Sequence, residues 1–204
     1  MTAIIENPET YFSQLIPPRS ALLKELEEEA HQENIPIIGP VVGELLFILA
    51  RIIRAEKILE LGTAIGYSAI FLSGAFESSK GQLITIENDS AMAHRAQKNI
   101  QRAGFEKQIE IRIDDAFQVM KTLRAPFDLI FMDIDKADYY RALPHCHRLL
   151  RKNGLLVADN VGFKDADPFN ASIYTSKAFR PVSLFSFLPL HSPERDGICL
   201  ALRL

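Results

Sequence analysis

The 204-residue chain has no tryptophan and two cysteines, Cys146 and Cys199. Two thiols without CxxC spacing exclude a disulfide framework and indicate a reducing compartment. Long apolar runs are missing too. No stretch could span a bilayer, and Glu6, Glu9, Glu25 and Glu27 to Glu29 break up the first thirty residues before a signal-peptide core could form. The expected location is the cytoplasm, with no membrane partner. An excess of either charge is also absent: 23 basic against 26 acidic side chains leave a formal charge of −3, so no global field attracts nucleic acid or anionic lipid. What is present is 48% hydrophobic and 24% charged, with 10 Gly and 11 Pro, a balance that excludes disordered and collagen-like chains. The length suits one domain over 1–204, with no internal repeat and no linker to mark a second.

Residues 20–33, SALLKELEEEAHQE, place Leu22, Leu23, Leu26 and Ala30 on one helical face behind a Ser20 cap, with Pro36 soon after. This predicts an N-terminal helical segment within about residues 1–40. The run VVGELLFILARII, 41–53, is apolar almost all round, which fits a helix packed against a sheet. Short β-rich runs follow at 57–61, 82–87, 109–113, 127–133 and 154–159, alternating with helical stretches near 67–75, 90–103, 116–123 and 138–151. Nearly continuous apolar strands separated by helices predict an α/β fold, doubly wound, its parallel sheet covered on both faces. Beyond Asp159 the pattern changes. VGFKDADPFNAS is turn-rich, and SLFSFLPL and GICLALRL look like two strands joined by HSPERD, an antiparallel pair closing the edge of a mostly parallel seven-stranded sheet.

Ligands of open parallel sheets bind beyond the carboxyl ends of the strands, and every predicted strand here ends in an acid: Glu60, Glu87, Asp114 with Asp115, Asp133 with Asp135, and Asp159 with Asn160. The first turn, Glu60-Leu-Gly-Thr-Ala-Ile-Gly-Tyr-Ser68, is GxxxG and not the GxGxxG of dinucleotide sites. Gly62 and Gly66 let backbone approach a ligand, while Glu60 adds negative charge where a diphosphate would lie, so a cationic ligand suits the turn. Glu87 lies 27 residues after Glu60, where an acid can accept from both ribose hydroxyls. A nucleoside carrying positive charge satisfies both, and S-adenosylmethionine is the expected cofactor. The plainer alternative makes the turn a tight βα connection and the acids exposed caps.

Asp133 ends the fourth strand, and Asp159 and Asn160 end the fifth; if those strands are neighbours the three side chains converge. Two carboxylates and an amide oxygen suit a hard octahedral cation such as Mg²⁺ in a partly open site. Taken singly, each residue is equally a helix cap or a turn former. Lys136 follows Asp133 by three residues; beside a cation its charged form is disfavoured, which suits a general base. His145 and His147 point to different helical faces and cannot chelate one metal, so they are read as structural, and the stripe Arg141, His145, Arg148 and Lys152 as a solvated face.

ILELGTAIGYSAI, LITIEND, IDDA, FDLIFMDIDKADYY and GLLVADNV together resemble, in order and spacing, the metal-dependent class I O-methyltransferases that include the caffeoyl-CoA and catechol enzymes. The resemblance covers roughly residues 35–162 and resumes at DGICLALR. It implies a Rossmann-like class I methyltransferase domain with metal ligands Asp133, Asp159 and Asn160 and the catalytic lysine at Lys136. It further implies that Glu60, Gly62, Thr63 and Ser68 hold the methionine part of the cofactor and nearby atoms, Glu87 its ribose, and Asp115 with Ala116 its adenine, with Asp133 also touching it. A homodimer is implied, its N-terminal segment lining part of the substrate entrance. The chain departs from many relatives in having no tryptophan after Asn160 and a shorter stretch before the last two strands, where acceptor specificity is set.

The expected reaction is methyl transfer to a hydroxyl of a catechol-like or other vicinal-diol phenol, with Mg²⁺, Mn²⁺ or Ca²⁺ as the cation. Two alternatives stay open: O-methylation of a hydroxylated uridine in tRNA, against which the net charge of −3 argues mildly, and a non-catalytic cofactor-binding dimer.

Overall fold

A computed structural model describes residues 4–124 and 126–204. The five apolar runs become parallel strands β1 (Lys57–Leu61), β2 (Gln82–Glu87), β3 (Ile109–Ile113), β4 (Phe127–Met132) and β5 (Leu150–Ala158). The last two strands, β6 (Phe179–Phe187) and β7 (Arg195–Arg203), pair antiparallel, and β7 continues the ladder onto β5. The sheet order is β3-β2-β1-β4-β5-β7-β6. The chain winds outward from β1 to β3, then returns and winds the other way from β4, so strand order reverses between β1 and β4. A crevice opens there, beyond the carboxyl ends of both strands.

Helices α1 (Pro8–Ser13), α2 (Ala21–Glu33), α3 (Gly39–Ile52), α4 (Tyr67–Gly74), α5 (Ser90–Ala103), α6 (Ala116–Thr122), α7 (Tyr139–Leu149) and α8 (Asp167–Thr175) complete the chain. Successive strand residues face opposite sides of a sheet, and two cores follow from that alternation. Ile58, Leu129 and Phe131 join Leu26, Leu46, Leu72 and Ile100 on one face; Leu59, Ile130 and Met132 join Met120, Leu143, Phe169 and Ile173 on the other. No helix among the described residues is long and apolar enough to cross a membrane.

The predicted face of α2 is buried through Leu23, Leu26 and Ala30, and the Ser20 hydroxyl accepts from Leu23 N at 3.2 Å, capping its first turn. The structure differs from expectation in four places. Helix α3 buries one face only, leaving Ile48 and Ile52 outward. The turn-rich stretch after Asn160 contains α8, which tolerates Pro168 in its first turn and buries Phe169 and Ile173. Strand β5 begins four residues early, at Leu150, and β6 begins at Phe179 and ends at Phe187.

Candidate active site

A cleft of about 420 Å³ lies at the strand-order reversal. Apart from Glu60, every residue expected at the site lines it: Gly62, Thr63 and Ser68 from the first turn, Glu87 from β2, Asp115 and Ala116 from the start of α6, and Asp133, Lys136, Asp159 and Asn160 from the ends of β4 and β5. Pro36, Ile37 and Ile38, between α2 and α3, form part of the wall, so the N-terminal segment reaches the cleft. That segment is tied down where Arg19 pairs with Glu27 at 2.6 Å and Tyr67 donates to the same carboxylate at 2.6 Å.

The glycine turn has an internal cause. Gly62 sits at φ +97°, and a Cβ there would lie 2.2 Å from the carbonyl oxygen of Asp133; Gly66, at φ +85°, abuts Ala96. Close protein-to-protein approach requires these glycines, before any ligand is considered. Glu87 braces the same turn: its Oε2 accepts from Thr63 N at 3.2 Å and Ala64 N at 2.9 Å, and its Oε1 from Asp89 N at 3.0 Å. A carboxylate has about four lone-pair sites, so acceptor capacity remains for hydroxyls in the cleft.

Glu60 lies beneath the turn, fully buried. Thr85 donates to its Oε2 at 2.6 Å and in turn pairs with Thr63 at 2.5 Å, while Oε1 has no hydrogen-bond partner. Burial pushes its pKa up to about 7, against the opposing pull of the Ser68 and Thr85 hydroxyls, and Asp133 and Glu87 add to the rise. A buried carboxyl with an unmatched oxygen is costly to ionise unless a donor or a positive charge comes to meet it. Asp115 caps α6, accepting from Gln118 N at 3.0 Å, so its capping role and its place in the cleft coexist.

Beside the glycine turn, β4 and β5 are hydrogen-bonded neighbours, and Met132 pairs with Ala158. The residues after them, Asp133 and Asp159, therefore emerge side by side. Burial raises the Asp133 pKa and the Asp159 charge raises it further, while Lys136 and His191 oppose both. Lys136 Nζ lies 2.9 Å from Asp133 Oδ1. Asp159 is met by His191, whose Nε2 lies 2.9 and 3.1 Å from its two oxygens and whose Nδ1 donates to Pro193 O at 2.6 Å. Burial disfavours the imidazolium, but the hydrogen bond and charge of Asp159 prevail and raise the His191 pKa. Asn160, at φ +51°, directs its amide nitrogen to Asp196. The Tyr139 hydroxyl, fully buried, lies 3.1 Å from Met132 O and 2.9 Å from Asp159 O and ties the two strand ends together.

Among the described residues no group of three or more His, Cys, Asp and Glu side chains is arranged to hold a metal. The candidate set here is different: two carboxylates and one amide oxygen, all hard donors. Each carboxylate faces a nitrogen, from Lys136 or His191, where a cation would supply the same charge balance. The set fits a hard divalent ion.

Residues 14–168 match the family model described as O-methyltransferase. The chain belongs to the O-methyltransferase family. It is 38% identical over 164 residues to a catechol O-methyltransferase of Niastella koreensis, covering 78% of this chain and 74% of that protein. It is 37% identical over 121 residues to a catechol O-methyltransferase of Mycobacterium tuberculosis, covering 58% of this chain and 54% of that one. The O-methyltransferase from Bacillus cereus, solved in complex with SAH, superposes with a TM-score of 0.87 at 26% identity over 97% of both chains.

Within this O-methyltransferase, His191, Asp196 and Tyr139 went unnoticed in the sequence although they contact the expected metal ligands. The two helix histidines behave as expected of structural residues. His145 and His147 pack against Phe117 and Phe179. Arg148 departs from the solvated-face reading, since it donates to Met120 O and Leu123 O and so satisfies carbonyls at the end of α6.

Proposed function

We propose that this O-methyltransferase uses S-adenosylmethionine and a divalent cation to methylate a hydroxyl of a catechol-like or other vicinal-diol phenol. The observation that carries this reading is that Asp133, Asp159, Asn160 and Lys136 line one cleft together with the glycine turn above Glu60. The names of the relatives, catechol O-methyltransferases, support the acceptor class.

The sulfonium of S-adenosylmethionine supplies an activated methyl group, and Gly62, Thr63 and Ser68 line the place for its methionine part. Asp133 in the cleft wall and Glu60 buried beneath the turn would lend negative charge to that region when ionised, and Glu87 offers acceptor oxygens to ribose hydroxyls. Asp133, Asp159 and Asn160 would hold the cation, an all-oxygen set that suits Mg²⁺, Mn²⁺ or Ca²⁺. When bound, such an ion lowers the pKa of an acceptor hydroxyl that otherwise titrates near ~10. Lys136, in its neutral amine form, would take that proton at Nζ and become the ammonium that faces Asp133. The walls of the cleft align the acceptor oxygen with the methyl carbon, and alignment supplies much of the rate. Assembly as a homodimer belongs to the same proposal and is checked by sedimentation equilibrium.

The test is methyl transfer to a simple catechol, with and without chelator, in the parent protein and in Asp133→Ala. Chelation and the substitution should each abolish turnover, with Mg²⁺ or Mn²⁺ restoring the chelated parent. Turnover that survives both would overturn the cation role, and absence of turnover on any vicinal diol would overturn the acceptor class.

A further inference from the structure

The hairpin between β6 and β7 looks in the sequence like a plain connection, yet it folds back over the end of β5. Asp196, 1% exposed, accepts Asn160 Nδ2 at 2.6 Å through Oδ2, and Gly162 N at 3.0 Å and Gly197 N at 2.6 Å through Oδ1. Gly162 makes room for this, since a Cβ there would stand 2.5 Å from Asp196 Oδ1. The Asn160 amide nitrogen also faces Ser192 O at 3.3 Å. A carboxylate and a carbonyl only accept, so the group facing them must be the NH₂, and chemistry settles which way the amide is turned. Both of its hydrogens are engaged, and its remaining polar atom, Oδ1, is left for the cleft that Asn160 lines.

We propose that Asp196 is the positioning residue of the cation site: through Asn160 it turns an amide oxygen, and not an amide nitrogen, toward the ion. The inference rests on the cation reading above. Groups standing behind metal ligands commonly change affinity 10–100-fold when altered. The sharpest variant is Asp196→Asn, which has the same shape. Its oxygen must stay on the two backbone N–H groups, so its NH₂ faces Asn160. Asn160 then satisfies it by turning its own oxygen inward and presents NH₂ to the cleft, where no cation can use it.

The experiment measures Mn²⁺ affinity by electron paramagnetic resonance, with S-adenosylmethionine affinity by calorimetry and thermal unfolding alongside. Asp196→Asn should bind Mn²⁺ at least tenfold more weakly than the parent, with cofactor affinity and the unfolding midpoint little changed. Asp196→Ala loses the same charge but forces no inversion, so its loss should be smaller. Asn160→Asp in the Asp196→Asn background should recover Mn²⁺ binding, because the new carboxylate accepts from Asn at 196 with one oxygen and offers the other. No Mn²⁺ binding by the parent would overturn the cation reading, and this inference with it. Parent binding that Asp196→Asn leaves unchanged would overturn the inference alone. Equal losses in the Asn and Ala variants, or a double variant that stays weak, would assign Asp196 a role in charge or folding and remove the positioning one.

Discussion

The Cα of Gly62 points at the backbone of Asp133 so closely that a methyl group there would stand 2.2 Å from the Asp133 carbonyl oxygen. The glycine turn and Asp133, proposed to serve cofactor and cation respectively, thus share one contact, locked also by Asp133 N donating to Leu61 O at 2.9 Å. Gly62→Ala must move one or the other, and it carries a left-handed φ that costs a side chain roughly 1–2 kcal/mol before the clash is counted. The expected loss of unfolding free energy is about 2 kcal/mol or more, read from urea denaturation, with turnover falling because Asp133 shifts. An unchanged urea midpoint would show that the turn has slack.

Glu60 makes folding and cofactor binding depend on pH in opposite senses. Its folded pKa, about 7, lies above the ordinary 4.5 because burial disfavours the charged form. The free protein therefore holds this proton more tightly than the unfolded chain does. The resulting stability is fully present below pH 4.5 and is lost as pH rises to about 7, a span on the order of 3 kcal/mol. Glu60→Gln should match the parent near pH 4 and exceed it in urea midpoint at pH 8. On the proposed reading a cationic cofactor would reverse the preference, since only ionised Glu60 could balance its charge. Calorimetric affinity for S-adenosylmethionine should rise through pH 7 in the parent and stay flat in Glu60→Gln; a flat parent profile would detach Glu60 from the cofactor.

The strand ends were legible in the sequence because parallel strands buried on both faces read as apolar runs that stop at a polar residue, as KILEL and FDLIFM do. Helix α8 was hidden by Asp165, Asp167, Pro168 and Asn170, all turn formers, although Phe169 and Ile173 stand four apart and are buried. The start of β6 was hidden by Pro181, which an outer strand can carry. Asp196 and His191 were hidden for another reason. Their partners depend on the antiparallel register that sets Ala158 against Cys199, which continues to Val161 N on Gly197 O and so brings Asn160 to Asp196. Local spacing records no such register; it is known only once β7 is seen beside β5.

Tyr139 spans the ends of β4 and β5 through one hydroxyl shared between Met132 O and Asp159 O. Tyr139→Phe keeps the ring against Phe169, whose centroid is 5.6 Å away, and leaves two buried carbonyls without that donor. The expected cost is about 1–2 kcal/mol in unfolding free energy. Since those carbonyls precede or belong to the residues that carry Asp133 and Asp159, Mn²⁺ affinity should fall alongside stability. A destabilised variant with undiminished Mn²⁺ affinity would show that the strand ends hold their spacing without the tyrosine.

Lys136 stands 2.9 Å from Asp133 and 5.9 Å from the Tyr139 ring centroid, so its nitrogen has two duties open to it: as ammonium it pairs with the Asp133 carboxylate, and as neutral amine it would accept the proton of the acceptor. Lys136→Met removes the amine and keeps the stem. Removing a positioned base costs typically 10²–10⁴-fold in turnover, and since the glycine turn is braced by Glu87 and not by Lys136, cofactor affinity should stay within about threefold. The loss alone does not separate the two duties, because Asp133 is also deprived of the cation that opposes its raised pKa. Lys136→Arg separates them. A guanidinium still pairs with Asp133 but stays protonated and cannot accept a proton. Turnover as low as in Lys136→Met would identify the amine as the base, whereas recovery of most of the activity would leave it only the task of holding Asp133.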